Sequence, residues 1–157
     1  MARINARKKG AAGERELCDW LAKNFELVSK PTRNLDQTRE GGADVLCYPF
    51  AFEVKRVENL DVLSAWAQVK NAVGDKNGKA FNLEPVLAYR KNGEKWTFCI
   101  DAKHIGIDLG WVTLTEKAFI RWVKKFLKDI HLEIGQDGFH KLEKDYGQET
   151  RFALGCG

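Results

Sequence analysis

The stretch GGADVLCYPFAFEVKR, from Gly41 to Arg56, narrows the choice of fold more than any other part of the chain. It reads as two short strands, Asp44–Cys47 and Phe50–Lys55, with Tyr48-Pro49 between them. Proline cannot donate to a sheet ladder, so it argues for a turn at that point. Side chains alternate along a strand, so Phe52 and Val54 point one way and Glu53 and Lys55 the other. A tight hairpin then brings Asp44, Glu53 and Lys55 onto one patch. Two carboxylates about 4 Å apart repel by about 4 kcal/mol at an effective dielectric of about 20. A divalent cation with oxygen ligands is the natural counter-charge. A lysine beside a metal-held water suits hydrolysis of an anionic ester.

A chain of 157 residues is expected to form one domain with a real core. No apolar run is long enough to span a membrane, so no membrane partner is expected. The basic start, MARINARKKG, lacks the apolar segment of a signal peptide. Cys18, Cys47 and Cys99 sit in apolar periodic segments, and with Cys156 they form no CxxC pair. Reduced thiols in a cytoplasmic protein are expected rather than a disulfide framework. His104, His131 and His140 lack zinc-like spacing, and no phosphate-loop or dinucleotide glycine pattern is present, so no small-molecule cofactor is expected. Net charge is +4, unevenly spread: residues 1–40 carry nine Lys and Arg against six Asp and Glu, whereas residues 101–157 carry nine of each. An excess near the acidic cluster suits an anionic polymer approaching the N-terminal half.

Taken in order, residues 1–10 read as a flexible basic arm carrying Arg7, Lys8 and Lys9. A helix over 12–24 follows, with Glu14, Leu17, Cys18 and Leu21 on one stripe at i, i+3, i+4 and i+7. Glu14 therefore lies on the inward stripe, although a glutamate in a first turn also offsets the helix dipole. Residues 25–29 read as a strand. The polar loop 32–42 carries Arg33 and Arg39, placed to touch phosphates or to serve as ordinary loop arginines. After Lys55-Arg56, a helix runs from about Leu60 or Asp61 to Val73, with Asn59 or Asp61 as cap. Its apolar stripe of Val62, Ala65, Val69 and Ala72 includes Gln68. A sheet-facing glutamine needs a hydrogen-bond partner: a structural one, a water, Lys55 or a phosphate. Strands at 84–90 and 95–100 flank an Asn92-Gly93 turn. Asp101 and Lys103 repeat the acid-x-lysine spacing but lack an acidic partner upstream, and they read as a decoy. A third helix over 114–130, with Thr113 and Glu116 at capping-box spacing, buries Phe119, Trp122, Val123, Phe126, Leu127 and Ile130. Its other face, Lys117, Arg121, Lys124, Lys125 and Lys128, reads most simply as solvated surface, with DNA binding the lesser reading.

The order is α/β (α+β), with a mixed central sheet of about five strands flanked by helices. Residues 11–100 form the catalytic core of a single domain, and 101–157 add a C-terminal helix and tail.

Asp44, Glu53-Val54-Lys55, upstream Glu14 and downstream Gln68 together resemble the signature of the PD-(D/E)XK nuclease superfamily, with its restriction-endonuclease-like core. KKGAAGEREL, GADVL and FEVK are similar to archaeal-type Holliday junction resolvases, and SAWAQ and PVLAYR to related phage endonucleases. The resemblance covers about residues 8–100. It implies that Asp44, Glu53 and the Val54 carbonyl hold Mg²⁺, with Mn²⁺ as an alternative, and that Glu14 joins through water or holds a second ion. Lys55 would orient the attacking water and stabilise charge, and Gln68 would position either. Arg7, Lys8, Lys9, Arg33, Arg39 and Arg56 are the expected DNA contacts. A homodimer cutting a four-way junction is implied, its interface on strand or third-helix aromatics, in the host cytoplasm if the chain is phage-encoded. The alternatives are the same core acting on duplex, nicked or flap DNA, or a non-catalytic nucleic-acid-binding module.

Overall fold

The computed structural model describes residues 5–35, 42–146 and 152. Among the described residues three helices flank a five-stranded mixed sheet, as the sequence pattern predicts. In chain order these are α1 (Ala6–Asn24), β1 (Val45–Cys47), β2 (Phe50–Arg56), α2 (Val62–Gly74), β3 (Glu84–Arg90), β4 (Thr97–Asp101), β5 (Trp111–Thr115) and α3 (Glu116–Tyr146). The strands lie in the order β1-β2-β3-β4-β5. β2 and β3 are parallel, joined by the crossover through α2, and every other neighbouring pair is antiparallel.

α1 begins six residues earlier than the sequence pattern predicts. Asn5 caps it, its side-chain oxygen accepting from the Arg7 amide at 3.1 Å. Arg7, Lys8 and Lys9 are therefore in the first helical turns and not in a flexible arm. Gly13 lets the helix lie directly on the sheet: a Cβ there would stand 3.0 Å from the Cβ of Arg56. Leu17 and Leu21 are fully buried beneath it.

Residues 25–29 do not form the expected strand. Leu27 makes a single bridge to Phe152, and Phe25 packs its ring against Phe152 at 5.0 Å. The fifth strand is instead β5, where the third helix was expected to begin. Trp111, Val112 and Thr113 favour a strand, and no turn residue separates them from α3. The capping box at Thr113 and Glu116 is accordingly replaced. Thr115 Oγ1 accepts from the Ala118 amide at 3.2 Å, while Glu116 Oε1 accepts from the Trp96 amide at 2.8 Å.

The main core lies between the sheet and the pair α1 and α3. Phe50, Phe52, Val54, Val86 and Phe98 meet Leu17, Leu21, Phe119 and Val123 there. Phe98 and Phe119 stack at 3.9 Å. Trp122 and Phe126 lie against Phe50 at 5.6 and 5.3 Å. Those third-helix aromatics, expected at a dimer interface, thus pack within the protomer. On the opposite face α2 covers the sheet, with Ala65, Trp66 and Val69 against Leu87 and Cys99. Asp61 caps α2 through the Ser64 amide and hydroxyl. Phe152 closes the main core, 1% exposed, with its amide donating to the Tyr48 carbonyl at 3.0 Å.

Gly13→Val should lower stability by roughly 1–3 kcal/mol, because the added atoms meet a strand that cannot retreat. Gly10→Ala, with open space around the new methyl, should raise it by up to about 1 kcal/mol. Equal effects of the two substitutions on urea unfolding would contradict the close approach of α1 to β2. Truncating a fully buried aromatic costs roughly 3–5 kcal/mol, so Phe152→Ala should move the thermal midpoint down by many degrees. An unchanged midpoint would show that Phe152 lies outside the core.

Candidate active site

The register of the first hairpin places the acidic pair. Val45 pairs with Phe52, so Asp44, one residue before β1, falls opposite Glu53. Both residues are only 5% exposed. Phe52 and Val54 enter the main core, which leaves Glu53 and Lys55 on the face covered by α2. Asp44 Oδ2 accepts from the Val54 amide at 2.8 Å, and Lys55 Nζ lies 2.7 Å from Glu53 Oε1. Asp44, Glu53 and Lys55 line one open pocket of about 430 Å³. Gln68, Asn71 and Asp75 of the α2 segment form its opposite side, and Gly42 stands at its edge.

This arrangement disfavours charge on Glu53. Burial, and then the neighbouring Asp44 carboxylate, push its carboxyl group up from 4.5 to about 7. The Lys55 ammonium pulls the other way without cancelling those effects. Glu14 also raises it, so its charge reaches the pair.

Glu14 itself does not line the pocket, because its carboxylate pairs with Arg33. Arg33, expected to contact DNA, thus holds Glu14, and its backbone bridges to Val45. Arg56 pairs with Glu16 at 2.9 Å, and Arg90 pairs with the same carboxylate, tying α1 to the ends of β2 and β3. Lys9 reaches Glu58 at 3.5 Å. Arg39 lies outside the described residues. Gln68 is exposed at the pocket wall rather than buried against the sheet, where Ala65, Val69 and Ala72 take the inward positions.

Asn71 and Asp75 were not singled out in the sequence. Their signal was helical spacing, since they follow Gln68 at i+3 and i+7. Asp101 of the decoy pair is engaged with Lys70 at 2.8 Å and caps the turn at Lys103. Cys18, Cys47 and Cys99 are buried free thiols, and burial pushes all three upward, Cys99 to about 12. They are poor nucleophiles at neutral pH.

Among the described residues no three His, Cys, Asp or Glu side chains form a group able to hold a metal ion. Two adjoining carboxylates nevertheless match the way Mg²⁺ binds, through one or two carboxylates while keeping waters that substrate phosphates replace. A cation there would also offset the Asp44 repulsion that, after burial, raises Glu53. No family model, curated protein or solved structure matches the chain.

The raised carboxyl gives a signed pH dependence. Folded Glu53 keeps its proton to about pH 7, while unfolded Glu53 loses it in the ordinary carboxylate range. The stability this proton contributes is full below about pH 4.5 and is lost as pH rises through about 7. In EDTA, Glu53→Gln should therefore be more stable than the parent at pH 8, by up to about 3 kcal/mol. The gain should shrink toward pH 5. Parallel pH profiles of urea unfolding for the two proteins would contradict the burial of this carboxyl group.

Proposed function

We propose that the protein is a metal-dependent endonuclease of the PD-(D/E)XK type that hydrolyses DNA phosphodiesters, with four-way junctions as its substrate. The observation that carries the reading is the convergence of Asp44, Glu53 and Lys55 in one open polar pocket, with the Glu53 carboxyl group raised to about 7 by burial and then by the neighbouring Asp44 carboxylate. The junction preference rests on KKGAAGEREL, GADVL and FEVK, which resemble the resolvases. Homodimerisation fits paired cuts on a two-fold symmetric junction, and buried free thiols suit a cytoplasmic setting.

Asp44 and Glu53 would hold Mg²⁺ or Mn²⁺, which when bound supplies charge neutralisation at phosphate oxygens and a more acidic water. Hydrolysis forms a P–O bond to water and breaks the P–O bond to the departing sugar oxygen, which takes up a proton. Lys55 carries three N–H donors. Glu53 takes one, so the ammonium is placed to stabilise negative charge growing on the phosphate. The Asp44 bond to the Val54 amide fixes the carboxylate before substrate arrives. Gln68 and Asn71 present neutral amides along the opposite wall, suited to orient water or a phosphate oxygen.

A second reading, a non-catalytic nucleic-acid-binding module, draws support from Glu14, whose carboxylate pairs with Arg33 instead of joining the other two acids. A cleavage assay separates the readings, using end-labelled four-way junction, matched duplex and flap DNA, with Mg²⁺ or EDTA. The proposal expects paired nicks on the junction, abolished by EDTA and reduced at least ~100-fold by Asp44→Asn or Lys55→Ala. Asp44→Asn retains an oxygen for the Val54 amide, so it should fold. Cutting without junction preference would keep the nuclease and remove the resolvase. Binding without any cutting would favour the module.

A further inference from the structure

α3 presents an unbroken row of cations to solvent on the side of the sheet away from the pocket. Lys117, Arg121, Lys124 and Lys128 follow one another at i, i+4, i+7 and i+11, and all four are exposed. The row is about 16 Å long at 1.5 Å per residue. The inward side of the same helix is fixed by Phe119 and Val123, which share the core with Phe52 and Val54. Glu53 and Lys55 point the opposite way, so the row and the pocket lie on opposite faces of the sheet.

The charges along this row are not balanced within the helix. Lys125, beside the row, pairs with Asp129 at 2.7 Å. Glu116 turns inward to the Trp96 amide. The four row residues make no ion pair among the described residues. Instead Lys117 and Arg121, Arg121 and Lys124, and Lys124 and Lys128 are like-charged neighbours at i+3 or i+4, a spacing that destabilises a helix. Solubility alone would be served equally by alternating signs. A continuous row of one sign fits a partner that is itself a continuous row of the other sign.

We propose that this face of α3 is a second nucleic-acid surface, which holds the phosphate backbone of a DNA duplex segment distinct from the strand in the pocket. The inference rests on the reading of DNA as the substrate. A B-form strand carries one phosphate per 3.4 Å of axis and winds around that axis, so a straight row of this length runs beside about three of them. Contacts of this kind fix position and carry no sequence readout. A junction has several duplex arms, and a protein with phosphate-binding surfaces on both faces of its sheet can engage two of them.

The test measures binding of a fluorescein-labelled duplex and a labelled four-way junction by anisotropy in EDTA, across a series of salt concentrations. The compared proteins are the parent, the quadruple variant Lys117→Gln, Arg121→Gln, Lys124→Gln and Lys128→Gln, and the control Lys125→Gln. Helix content by circular dichroism checks folding. The quadruple variant should weaken binding on the order of tenfold or more and flatten the slope of log K against log salt by about 3. Lys125→Gln should change either quantity little. Replacing the three row lysines by arginine should keep the parental slope. Parental affinity and slope in the quadruple variant would overturn the proposal, as would absence of binding to either DNA by the parent. DNA held through the row by a protein that never cleaves would uphold this surface while the nuclease reading fails.

Discussion

Pairing of β1 with β2 puts Asp44 opposite Glu53, and the sheet buries both. The hydrophobic side of the same strands makes this arrangement hard to escape. Phe50, Phe52 and Val54 alternate with the polar positions, and a slip by one residue would drive Glu53 and Lys55 into a core of aromatic rings. The register that builds the core is therefore also the register that forces two carboxylates together. Burial first, and then the adjoining Asp44 carboxylate, raise the Glu53 carboxyl group, and the proposed cation would offset the repulsion between the pair.

The surrounding elements hold this hairpin rather than add chemistry to it. α1 is brought close to β2 by Gly13 and tied down by Glu16, which bridges Arg56 and Arg90 across the parallel pair. α2, the crossover between β2 and β3, supplies the far wall of the pocket with Gln68 and Asn71 while its alanines and Val69 cover the sheet. Glu14 is the one acid of the expected set that the fold ties to a different partner. Its pairing with Arg33 leaves the pocket with the two carboxylates of the hairpin and, on the opposite wall, Asp75.

Strand alternation is a local signal of period two, so Asp44, Glu53 and Lys55 were legible in the sequence together with the apolar side of the hairpin at Phe52 and Val54. What escaped depended on distant contacts. Phe152 is a lone aromatic in a polar tail, and only its place against Phe25 and Phe50 reveals it as core. β5 runs into α3 without a turn residue, so helical periodicity beginning near Leu114 masked the strand. The ion pairs of Arg33 and Arg56 join segments far apart in the chain, which made both residues read as free cations. Asn71 and Asp75 share helical spacing with Gln68, but nothing local marks that side of α2 as facing a pocket.

The Glu53 carboxyl group stands above the ordinary carboxylate range, and the proposed function assigns it, with Asp44, to a divalent cation. Carbon-13 NMR of this carboxyl, followed through a pH titration in EDTA and again in Mg²⁺, tests both directly. The account predicts a midpoint near 7 in EDTA and a marked downward shift with Mg²⁺ that Asp44→Asn removes. An ordinary carboxylate midpoint, unmoved by Mg²⁺, would contradict both the raised carboxyl group and the proposed site.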